Sequence, residues 1–80
     1  MNKFFLLWNA DYVNIKKKEG ATFYGVGFSY QKAENSPSAK IEIYSAVYAE
    51  NNLAESKEIT ADEFNKKKAE MLKALKKLLK

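Results

Sequence analysis

Lysines and aromatic rings are the side chains of this sequence whose types and spacing offer chemistry toward another molecule. Lys66, Lys73, Lys76, Lys77 and Lys80 recur at helical spacing near the C-terminus, and ammonium groups gathered on one helix face attract phosphates or carboxylates. Phe23, Tyr44, Tyr48 and Trp8 lie in segments rich in aromatic and branched residues. On an exposed sheet such rings can stack on nucleic-acid bases or anchor a protein contact.

The absent residue types narrow the chemistry further. There is no His, no Cys and no Arg, and all fourteen basic residues are Lys. The commonest general bases, nucleophiles and transition-metal ligands are therefore missing. So is the bidentate fork that reads guanine, phosphate or carboxylate. Asp11, Glu42, Glu50 and Asp62 have no spacing that resembles a calcium loop, and Asp62 and Glu63 suit the positive end of a helix. Gly25-Val26-Gly27 lacks the third glycine and the following helix of a dinucleotide loop. Within a strand, the pair is expected to relieve crowding beside Tyr44 and Tyr48 or to admit a partner's backbone. The composition points to a protein that is not an enzyme and carries no cofactor and no metal.

Charge is unevenly spread. Residues 60–80 hold seven Lys against Asp62, Glu63 and Glu70, which accounts for the whole net charge of +4. The preceding residues hold seven Lys and seven carboxylates. A neutral body with a basic C-terminal helix is the result, and an electrostatic partner should meet the helix first.

Several elements must position these groups. Phe4 to Ile15 reads as one long strand with a bulge at Asn9-Ala10-Asp11, or as two short strands bent there. Lys16-Lys17-Lys18-Glu19-Gly20 reads as a turn. Thr22 to Gln31 alternates, with Thr22, Tyr24, Val26, Phe28 and Tyr30 on one side and Phe23, Gly25, Gly27 and Ser29 on the other. Ala33 to Lys40, with Asn35-Ser36-Pro37-Ser38, reads as a loop. In a third strand, Ile41 to Glu50, the residues Ile41, Ile43, Ser45, Val47 and Ala49 are expected to face the core. Asn51-Asn52 reads as a turn, and a short edge strand is expected within Leu53 to Ile59.

Thr60-Ala61-Asp62-Glu63 fits a capping box that opens a long helix. Phe64, Met71, Leu72, Leu75 and Leu78 form its apolar stripe, while Lys66, Lys73, Lys76, Lys77 and Lys80 face outward. Lys68 interrupts the stripe and is expected to snorkel past the sheet edge. The expected fold is a single α+β domain spanning residues 1–80. It has a three- to four-stranded antiparallel meander sheet, with the C-terminal amphipathic helix packed across Val26, Phe28, Ile41, Ile43 and Val47.

Ordering eighty residues costs on the order of 100 kcal/mol of conformational entropy, and the chain has no Cys with which to staple a small core. Self-association into a homodimer is the expected remedy. Lys3 followed by Phe4-Phe5-Leu6-Leu7-Trp8 is too short an apolar run for a secretory signal, and nothing approaches a membrane span. A cytoplasmic protein is expected.

One helix covers one sheet face, so Phe23, Tyr44 and Tyr48 are expected on an open aromatic face, with a set from the first strand that includes either Trp8 or Phe5 and Leu7. Such a patch marks an interface. The leading expectation is a protein-binding module with a protein partner, using this face, the Lys-rich helix or both. Size, Lys-for-Arg usage and missing catalytic residues suit a small phage or mobile-element protein that occupies a host protein surface. The alternative is sequence-nonspecific binding of single-stranded nucleic acid, although the rings and the lysines fall on opposite sides of the sheet. That alternative predicts that labelled oligonucleotides bind at low salt and release as salt rises; an absence of binding at low salt eliminates it.

Overall fold

Residues 2–8, 10–32 and 39–79 are described by the computed structural model. Residues 33–38 of the expected Ala33–Lys40 loop, Asn9 and Lys80 therefore lie outside the described residues, while Ala39 and Lys40 are strand rather than loop. Alternating apolar residues build β1 (Lys3–Leu7), β2 (Asp11–Glu19), β3 (Thr22–Lys32) and β4 (Ala39–Ala49) into an antiparallel meander. A short helix, α1 (Glu50–Ala54), leads to β5 (Lys57–Ile59), which pairs with β1. The long helix α2 (Ala61–Leu78) follows. The sheet order is β4-β3-β2-β1-β5. The N-terminal segment thus forms two strands, and with β5 the sheet has five.

Two local readings change. Lys16 to Glu19 are strand rather than turn, and only Gly20-Ala21 connect the paired Glu19 and Thr22. Gly20 has φ 61°, as the first central position of a type II′ hairpin requires. Cross-strand pairing makes the lysine run tolerable as strand. The Lys17 ammonium lies 2.7 Å from the Glu19 carboxylate and 5.8 Å from the Tyr24 ring centroid, and that of Lys18 lies 5.2 Å from the Phe23 ring centroid. The register shift sits between Ile15 and Lys17 rather than at residues 9–11. Gly25 lies opposite it, and a Cβ there would collide with the Asn14 carbonyl. This glycine admits the protein's own backbone.

Strand order decides what covers each face. β4 and β5 occupy opposite edges of the sheet, so the chain between them must cross one face. It carries Leu53 onto Leu7, Val13, Ile15 and Ala46, with Phe5, Phe23, Tyr44 and Tyr48 packed around them. The face expected to be bare therefore has a cover. Asn51 and Asn52, read as a turn, belong to α1.

On the other face, Thr60 caps α2 by accepting the Glu63 amide at 3.1 Å, and Phe64 then drops between Phe4 and Phe28. Their ring centroids are 4.9 Å and 5.4 Å from its own, and Tyr12 stacks on Phe28 at 5.3 Å. Ile59 and Met71 complete this core, with Leu6, Tyr30 and Ile41 at its margin. The helix covers Phe28 and reaches Ile41 but leaves Val26, Ile43 and Val47 exposed, contrary to the sequence expectation. The reason is geometric. An 11-residue strand runs about 36 Å, whereas a helix with its side chains is about 10 Å wide, so a helix crossing from the β5 edge cannot cover the full length of β3 and β4.

Phe64→Ala should cost about 3–5 kcal/mol in urea unfolding, and Thr60→Ala about 1 kcal/mol through the lost cap. Equal losses would show that the ring does not anchor the helix. Gly25→Ala should cost about 1–3 kcal/mol through overpacking against β2.

Candidate binding surface

Tyr44 leans across Gly27, where an added Cβ would stand 2.9 Å from its ring. The glycine thus makes room for a ring of the same molecule. The Tyr44 hydroxyl donates to Asp11 Oδ1 at 2.9 Å, which leaves its oxygen to accept from the Tyr48 hydroxyl at 3.4 Å. Burial first, then the hydrogen bonds to Tyr48 and Asp11, hold the Tyr44 hydroxyl far above the ordinary tyrosine value of 10.0. Phe23, Tyr44 and Tyr48 are half-buried. Their inner faces contribute to the core, and their outer faces remain available to a partner.

Trp8 stands apart from these three. It lies on the β1–β2 connection at φ 52° and is 74 % exposed. It lines a shallow cleft with Leu7, Asn52, Glu55 and Ser56. A large aromatic residue held in the left-handed region carries a backbone cost of about 1–3 kcal/mol.

Lys66, Lys73, Lys76 and Lys77 are exposed on α2. The two flanks of this helix differ in charge. On one flank Lys66 and Lys67 lie with Glu63 and Glu70 above Leu6, Tyr12 and Ile59, and Lys67 pairs with Glu70 at 3.2 Å. On the other flank a groove of about 240 Å³ runs over Val26, Gly27, Phe28 and Ile43, with Phe64, Met71 and Leu72 as its helix wall. Among the described residues its charged lining residues are Lys16 and Lys68, with no carboxylate. Asn14 also lines this groove, and its buried Oδ1 has no hydrogen-bond partner among the described residues.

This groove opens onto the largest apolar exposure among the described residues of the sheet. Val26, Ile43 and Val47 are 45 %, 59 % and 60 % exposed, and Leu72 on the helix is 42 % exposed. Sequence reading placed these four in the core because alternation reports a shared side of the sheet and not the reach of its cover. The signal that was available is the mismatch between strand length and helix width. The volume is below that of typical small-molecule pockets, about 300–1,000 Å³, and suits one or two inserted side chains. Among the described residues no group of His, Cys, Asp and Glu could hold a metal ion, and no helix is long and apolar enough to cross a membrane.

The raised Tyr44 value has a sign that can be checked. Below pH 10 the hydroxyl is protonated in both folded and unfolded chains, so its contribution is intact. Above that, the unfolded chain releases the proton while the folded one retains it, and stability falls. Wild type should therefore lose stability more steeply than Tyr44→Phe above pH 10 in chemical denaturation. Parallel slopes would show that Tyr44 ionises as readily in the folded protein.

Comparisons with protein-family models, with curated proteins and with solved structures found no match.

Proposed function

We propose that this protein is a non-catalytic binding module for an acidic protein segment, which it receives in the groove between α2 and the β3–β4 hairpin. The observation that carries the reading is the exposed apolar surface of Val26, Ile43 and Leu72 in a groove whose charged lining residues, among the described residues, are Lys16 and Lys68, with exposed Val47 further along the same strand. Contiguous exposed apolar surface bounded by polar groups is the signature of a protein contact. The two ammonium groups select a partner whose apolar ridge is flanked by Asp or Glu, and they speed its encounter more than they tighten the complex. The net charge of +4 acts in the same direction.

A small module of this kind can act by occupying a surface of a larger protein, as an inhibitor from a phage or mobile element does. The aromatic side, with Phe23, Tyr44 and Tyr48, and the exposed Trp8 supply a second contact area. Single-stranded nucleic acid is the other reading. It rests on the exposed lysines of α2, which lie on the helix side of the sheet, away from Phe23, Tyr44 and Tyr48.

Two peptide libraries with the same apolar ridge, one flanked by Glu and one by Lys, separate these readings when titrated against the labelled protein. The Glu library should shift the resonances of Val26, Ile43 and Val47, and Val47→Glu should abolish the effect. Equal response to both libraries, or shifts confined to Phe23, Tyr44 and Tyr48, sinks the groove reading. Oligonucleotide binding that survives Val47→Glu but not Lys73→Glu with Lys77→Glu would favour nucleic acid.

A further inference from the structure

We propose that the outer edge of β4 pairs with β4 of a second copy of this chain, antiparallel about a two-fold axis at Ser45, to give one continuous ten-stranded sheet. The expected homodimer then forms through a strand edge and leaves both sheet faces free. The inference is independent of the groove's occupant.

The two edges of the sheet contrast in how they are protected. β5 has three residues, two of them charged, Lys57 and Glu58. Short, charged edges resist pairing. β4 has eleven residues, and among the described residues no strand lies on its outer side. From Ile43 to Tyr48 it carries no charge, no Pro and no Gly, and its pairing with β3 runs without a register shift. Half of its backbone N–H and C=O groups point outward, and a long, regular, uncharged edge of this kind is a template for another strand. Pairing over Ile41 to Ala49 would add about ten backbone hydrogen bonds, with Lys40 and Glu50, the first residue of α1, at its two ends.

Side chains select the register. Residues opposite one another in an antiparallel pair share a face, so a two-fold pairing that keeps the faces aligned allows registers in steps of two residues. With the axis at Ser45, Lys40 of one copy meets Glu50 of the other, Ile43 meets Val47, and Tyr44 meets Ala46. These pairs are complementary in charge, apolarity or size; Glu42, which meets Tyr48, has no such match. A step one way sets Glu42 opposite Glu50. A step the other way sets Ile43 opposite Ser45 and Lys40 opposite Tyr48. In the chosen register Ile43 and Val47 of both copies join into one apolar strip, and the two α2 helices lie on the same side of the sheet.

Sedimentation of the full chain over a range of concentrations tests the proposal. The expected result is a monomer–dimer equilibrium. Lys40→Glu and Glu50→Lys should each weaken it by roughly tenfold, because two ion pairs become two repulsions. The double variant, with the charges exchanged, should restore it. Both side chains are exposed, and circular dichroism confirms that the variants fold. Wild type that stays monomeric to its solubility limit overturns the proposal. So does a dimer indifferent to both single changes, or one that the double variant fails to restore.

Discussion

The contact of Phe64 with Phe4 and Phe28 is the constraint on which the rest of the molecule depends. It lies one helical turn after the Thr60 cap, so the helix is fixed to the sheet as soon as it begins. Because β5 ends only one residue before α2 starts, that anchor also ties the β5 edge to the centre of the sheet. The path of the helix over the face, and therefore what it leaves uncovered, follows from this one point.

The second constraint is topological. A meander of four strands ends at one edge, and the next strand is bound to the other. The chain must return across a face, and Leu53 on that crossing closes the core against Leu7, Val13, Ile15 and Ala46. Each face therefore has one crossing segment, and neither crossing is wide enough for strands of this length. Apolar surface remains beside the longer crossing, on the side where Val26 and Ile43 lie. Small domains bury a limited fraction of their surface, and here Val26, Ile43, Val47 and Leu72 are left exposed on the helix side, with Trp8, Leu78 and Leu79 exposed elsewhere.

Charge follows the same division. The capping box and the Lys67–Glu70 pair balance the side of α2 that faces Leu6 and Tyr12. Lys68, which breaks the apolar stripe of the helix, reaches the rim of the groove opposite Lys16. A residue that looks misplaced on a helical wheel thus becomes one of two cations beside exposed apolar surface. The aromatic side is organised differently: Tyr44, Tyr48 and Asp11 form a hydrogen-bonded chain that holds the Tyr44 ring over Gly27.

By itself the sequence determined what depends on local periodicity and chemistry. The sides of the strands, the Thr60 cap and the extent of α2 were legible, because side-chain alternation and capping are properties of neighbouring residues; of the expected apolar stripe, Phe64 and Met71 are buried while Leu72, Leu78 and Leu79 are exposed. The missing His, Cys and Arg had the same directness. The lysine run at residues 16–18 was misread because propensity favours a turn, and only the facing residues Phe23 and Tyr24 make a strand there favourable. The crossing by Leu53, the place of the bulge against Gly25 and the exposure of Val26, Ile43 and Val47 were decided by tertiary structure alone. Each depends on which strands are neighbours and on how far a cover extends, and strand order is set by long-range pairing that no local pattern encodes.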